Sequence, residues 1–186
     1  MRIGIDAREL CGRATGVGRY LSGLLRTWAA DDQARRHEFV LYAHAVIGTP
    51  IDAPRFAMRL VSGGGGTIWE QFALPTAIAR DGLDVFLSPG YTAPLAVRLP
   101  IVVAIHDVSF AAHPEWFGMR EGIRRRVLTR RAAARATAMD VYHRPDAALR
   151  RRYQRDPTRH HRAAWARAAE EVVVFLAPTA EQLEIQ

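Results

Sequence analysis

Apolar and polar positions alternate between two periods along the chain. Ile3 and Ile5 belong to a short apolar run ending at Asp6, and the stretch from Ala7 to Gly18 is rich in Gly, Arg and Thr before a helical period begins. Val17, Tyr20, Leu21, Leu24, Leu25 and Trp28 recur three and four residues apart, which predicts a helix with all six on one face and Thr15 near its N-cap. Further apolar runs at Glu38 to Ala43, Ala57 to Val61, Leu83 to Leu87 and Ile101 to Ile105 predict strands, with a helix around Ile68 to Ala79. A last basic helix is predicted from about Met119 to Ala136, with Ile123, Val127 and Leu128 on one face and Arg120, Arg124, Arg126, Arg130, Arg131 and Arg135 crowding the rest.

Strands that alternate with helices, and a nearly unbroken apolar strand such as Ile101 to Ile105, suit a parallel sheet covered on both faces. The expected fold class is therefore α/β, a Rossmann-like, mostly parallel sheet flanked by helices, with an irregular C-terminal tail. The tail is set apart by composition. The 25 residues from His143 to Arg167 include eight Arg, five Ala, three His and two Pro, which leaves only Leu149, Tyr153 and Trp165 as large apolar side chains. Val172 to Leu176 is strand-like again, and Thr179 to Gln182 reads as a capping box. The expected division is a domain at 1–139 and a divergent arginine-rich tail at 140–186.

Length and charge narrow the picture. A chain of 186 residues suits one domain with an appendage. The net charge of +7 comes with arginine as the sole Lys or Arg type, a bias that GC-rich coding explains and that weakens any inference toward nucleic acid. The one cysteine, Cys11, excludes an internal disulfide and a cysteine-built zinc site. The start of the sequence has no signal-peptide pattern, and no apolar run approaches the roughly 20 residues that span a bilayer. A cytoplasmic protein is expected, with peripheral contact to the inner face of a membrane through the 119–136 arginine helix as an option. That helix lacks interleaved aromatic residues, so nucleic acid is disfavoured as a partner.

Two places carry candidate chemistry. Gly16, Val17 and Gly18, followed by Arg19, lie after the first strand at the start of the first helix, where unpaired backbone N–H groups favour a phosphate; a plain tight turn into the helix is the competing reading. His106 and Asp107 close the most apolar strand, and Asp6 closes the first, at the sheet edge where ligands gather in open parallel sheets. A hydrogen-bonded structural histidine is the alternative for His106. His113 and Glu115 follow, but their spacing from His106 matches no metal motif, and no metal is expected.

Five segments in order resemble the amino-terminal domain of retaining glycosyltransferases with two Rossmann-like domains, the GT-B fold, and within them the mannosyltransferase-like members of glycosyltransferase family 4. They are Met1 to Arg8, Thr15 to Tyr20, Trp69 to Gln71 with Leu74 and Pro75, Leu83 to Phe86 with Ser88 and Pro89, and Val103 to Phe110 with His113 to Trp116. The resemblance implies a chain that transfers a sugar, with retention, from a nucleotide-sugar donor to a glycan or lipid-linked acceptor, the nucleotide sugar being substrate rather than cofactor. It implies that Gly16, Val17 and Gly18 face the donor diphosphate, that His106 lies near the transferred sugar, and that Asp6, Arg19 and Asp107 border the acceptor side. The family's donor-binding second domain is not seen in this sequence, so a separate donor-binding partner and a chain inactive alone are expected. A frameshift in GC-rich DNA would produce a tail like 140–186. The competing expectations are a non-catalytic module that binds anions or a membrane surface, and a non-functional remnant.

Overall fold

The computed structural model describes residues 1–13, 15–48, 51, 54–106 and 116–141. Six strands, β1 (Arg2–Asp6), β2 (Glu38–Ala43), β3 (Phe56–Leu60), β4 (Val85–Ser88), β5 (Ile101–Ile105) and β6 (Ala138–Val141), form one sheet in the order β3-β2-β1-β4-β5-β6. Every neighbouring pair is parallel. This is the Rossmann-like α/β sheet expected from the alternation of runs, and its strand order matches the doubly wound arrangement. β6 straddles the composition boundary placed at 139. The expected strand at Val172 to Leu176 and the capping box at Thr179 lie outside the described residues.

The first crossover is made by α1 (Gly16–Ala30), and its start and stop are both written locally. Thr15 takes an extended conformation and its Oγ1 accepts from the Gly18 amide at 2.9 Å, the N-cap bond expected there. At the other end Arg55 donates to the carbonyls of Trp28 and, at 2.9 Å, Ala29. Leu21, Leu24, Leu25 and Trp28 are buried against Ile3, Ile5 and Phe39, while Val17 and Tyr20, near the start of the same face, are half-buried. Trp28, Phe39 and Phe56 stack in sequence at 5.2 and 4.5 Å, tying the edge strand β3 to the helix layer. Burial of each such large side chain contributes about 1.5–3 kcal/mol.

The opposite face is covered by two helical segments. Between β3 and β4 the predicted helix opens as a π-helical stretch, Trp69–Ala73, before α2 (Leu74–Ile78). The wide turn brings consecutive Trp69 and Glu70 inward together and leaves Phe72 exposed; π turns of this kind gather at functional sites. Between β5 and β6 runs α3 (Met119–Arg135). Here the expected inward face is corrected: Ile123 and Val127 are 48% and 42% exposed, and the buried face is Gly122, Thr129, Ala132 and Ala133. Small side chains on that face let the helix lie close to the sheet, and closeness of the whole helix wins over burial of two branched ones.

Candidate functional site

In this strand order the chain leaves β1 in one direction for β2 and β3 and in the other for β4 to β6. Crossovers on either side of β1 and β4 diverge, and the gap opens at the carboxyl ends of the strands. A cavity of about 930 Å³ lies there, lined from α1 by Thr15 to Val17, from the loop after β4 by Gly90 to Thr92, and by His106 at the end of β5. Arg8, Glu70 and, from the middle of α3, Arg124, Arg125, Leu128 and Thr129 complete its wall.

The glycine loop divides into two roles. Gly16 and Val17 line the cavity, and a side chain added at Gly16 would meet nothing within 4 Å among the described residues. Gly18 is buried away from it. A Cβ there would stand 2.4 Å from the carbonyl oxygen of Glu9, in the short 3₁₀ turn Arg8–Leu10, so this glycine serves close packing between turn and helix. Its amide is already used by the Thr15 cap, whose hydroxyl in turn donates to Glu9 Oε2 at 2.9 Å. Gly16 and Val17 amides, in the first turn, are left for a ligand by the described residues. Arg19 also lines the cavity and is exposed.

His106 Nε2 lies 2.7 Å from the Pro89 carbonyl oxygen, which accepts only, so Nε2 donates and carries the proton. The ring sits between Tyr20 and Tyr91, edge-on to both at 4.7 and 5.7 Å between centroids. Tyr91 holds φ at 58°, the one positive-φ non-glycine residue among those described, and its amide bonds the Ala104 carbonyl at 3.0 Å. A tyrosine in that region costs of order 1–3 kcal/mol, and such strain clusters at functional sites. His106 is thus both a hydrogen-bonded histidine at a strand end and a wall of the cavity.

Beneath the cavity lies a charged network in which Asp6 is the one member expected at the site from the sequence. Arg8, at the end of the loop from β1, pairs with Glu70 Oε1 and, at 3.1 Å, with Asp6 Oδ2. Thr92 donates to the same Glu70 oxygen at 2.6 Å, and Gln71 Nε2 to the other at 2.9 Å. Gln71 then fastens the loop after β4, donating to the Ala93 carbonyl at 3.0 Å and accepting from the Leu95 amide at 3.1 Å. Asp6, placed by the sequence at the cleft edge, is instead 1% exposed and reaches the cavity only through Arg8. Burial pushes its carboxyl up from 3.8 to about 6, against the pull of Arg8. Arg8 pays for its own burial but is held above its usual range by Asp6 and Glu70. The sign available in the sequence was Glu70 itself, an acid between Trp69 and Phe72 on a helix that must bury Trp69.

Asp107, His113 and Glu115 lie outside the described residues. Among the described residues no three His, Cys, Asp or Glu side chains come together to hold a metal ion. No described helix is long and apolar enough to cross a membrane. Comparison with protein-family models and with curated proteins finds no match.

Proposed function

We propose that this chain supplies the acceptor-side Rossmann-like half of a retaining glycosyltransferase, cytoplasmic and fed by a nucleotide-sugar donor. The observation that carries the reading is the meeting of the α1 N-terminus and His106 in one cavity at the reversal of strand order. The ordered resemblance of five sequence segments to family 4 enzymes points the same way. In this reading the Gly16 and Val17 amides and the positive end of α1 receive the donor diphosphate. His106, at the end of β5, then lies near the transferred sugar, where its ring can hydrogen-bond the sugar and ease positive charge growing at the anomeric carbon. The Pro89 carbonyl and the two tyrosines set that ring's angle before substrate arrives, so less ordering is left to the reaction. The donor is bound across the cleft from a second, nucleotide-binding domain or partner.

The test is a titration of the whole chain with nucleotide diphosphate sugars, followed by amide and imidazole NMR shifts. Gly16, Val17 and His106 are expected to move, and Gly16→Val, which fills open space without touching the fold, is expected to weaken binding at least about tenfold, roughly 1.4 kcal/mol. A panel that leaves those signals still, from a folded sample, would overturn the reading.

One further observation favours a surface role alongside it. Met119, Ile123 and Val127 expose 80%, 48% and 42% of their area at helical spacing, with Trp116, 67% exposed, just before the helix and with exposed Arg120, Arg130 and Arg131 beside them. An apolar stripe edged with arginine is the pattern of a helix lying on an anionic lipid surface.

A further inference from the structure

Two four-residue units repeat along α1, Gly16 to Arg19 and Gly23 to Arg26, each a glycine followed three positions later by arginine. Side chains on a helix lean toward its N-terminus and cover the turn before them, so Arg19 reaches over Gly16 and Arg26 over Gly23. All four residues line the same cavity. The first unit is the helix start, already assigned to the donor diphosphate.

The second unit has no such explanation. Gly23 sits in the middle of a 15-residue helix, where glycine is the poorest choice after proline. Packing does not ask for it, because a Cβ added there meets nothing within 4 Å among the described residues. Arg26 is exposed and makes no ion pair with a described acid, whereas Arg124 and Arg125 across the cavity both share Glu121. Thr129, on the α3 wall of the same cavity, is 3% exposed and its hydroxyl has no hydrogen-bond partner. A bare helix surface, an unneutralised guanidinium one turn further along it and an unsatisfied buried hydroxyl all line one cavity, and together they describe a site for an anion with hydrogen-bond acceptors.

We infer that Gly23 and Arg26 form a second anion subsite, two helical turns and therefore about 10.5 Å along α1 from the first, which takes a phosphate carried by the acceptor. That the anion belongs to an acceptor rests on the glycosyl-transfer reading; that the subsite binds a phosphate does not. The phosphate is either that of a soluble sugar phosphate or that of a lipid headgroup, and the chemistry seen by Arg26 is the same.

The experiment uses the whole chain, with glucose 6-phosphate and, separately, vesicles of phosphatidylglycerol in phosphatidylcholine as probes. Arg26→Gln is compared with Arg80→Gln, which removes one exposed arginine remote from the cavity. One of the two probes is expected to shift the Gly23 and Thr27 amides, with Kd raised at least about tenfold by R26Q and less than about twofold by R80Q. A response to the sugar phosphate assigns a soluble acceptor, and one confined to vesicles assigns a lipid-borne one. Equal affinity in R26Q and R80Q for both probes would overturn the subsite. Nucleotide diphosphate sugars separate the two proposals: R26Q is expected to keep their effect at Gly16, and an Arg26-dependent phosphate site in a chain blind to every nucleotide sugar would leave the subsite standing while the transferase reading falls.

Discussion

Gly16 and Gly18 sit two positions apart in the sequence and do opposite things. Gly16 borders open cavity, while Gly18 faces the Glu9 carbonyl so closely that a Cβ would stand at 2.4 Å from it. Gly18→Ala must therefore push the turn Arg8–Leu10 away from α1, and with it Arg8. A loss of about 1–3 kcal/mol is expected, as for other overpacked sites, and urea unfolding measures it; a variant as stable as the parent would show that the turn yields freely. The two glycines read alike in the sequence because their pattern predicts a helix start but not which backbone crosses behind it. The same limit applies to Asp6. Its place at the end of β1 is legible from the apolar run, whereas its burial under Arg8 depends on Glu70, 64 residues away and on another element.

Among the elements, α1 was the most legible, since four of the six positions on its predicted face are buried and its cap is the residue named for it. Strands were found to within two residues at each end except for β6, whose four residues follow an arginine-rich helix and give no apolar run of their own. α3 shows where periodicity fails: its most hydrophobic residues are not its buried ones, because alanine, glycine and threonine fit a closer approach to the sheet. That leaves Met119, Ile123 and Val127 outward among arginines, and the expected outcome is salt-sensitive adsorption to anionic vesicles. Raising ionic strength from about 0.1 M to about 1 M shortens the screening length from about 10 Å to about 3 Å. Vesicle sedimentation is expected to fall at least about tenfold across that range, since each arginine near the surface contributes about 1 kcal/mol at low salt. The double variant Ile123→Ser, Val127→Ser is expected to release the protein further. Adsorption indifferent to salt and to both substitutions would remove this helix as the lipid contact.

At the scale of the whole molecule, the buried network under the cavity couples the site to global stability through protons. Asp6 titrates at about 6 in the folded chain and near its ordinary 3.8 when unfolded, so between those values the folded state keeps a proton that the unfolded state has lost. Stability contributed by that proton is complete below about pH 4 and is lost as pH rises through about 6. At about 1.4 kcal/mol per pH unit of difference, the loss is of order 3 kcal/mol for a group this deeply buried. Asp81 works in the other direction, held below its usual range by Arg59 and by the Tyr42 hydroxyl, and Glu121 is drawn down to about 2 by Arg124 and Arg125. The stability those two contribute is present above their unfolded values and is lost as pH falls, so it changes below about pH 4.5 and leaves the window above it to Asp6. Asp6→Asn keeps the shape of the side chain and removes its ionisation. Unfolding free energy measured in urea at intervals from pH 4.5 to pH 7.5 is expected to decline in the parent relative to D6N, with the difference levelling off above about pH 7. Subtracting the two curves leaves the contribution of Asp6, since every other group is common to both proteins. Parallel curves would mean that Arg8 keeps Asp6 ionised throughout; a parent curve that falls away from that of D6N would mean that the floor of the site gains a negative charge as pH rises past 6, and ligand anions should then bind more weakly on the alkaline side.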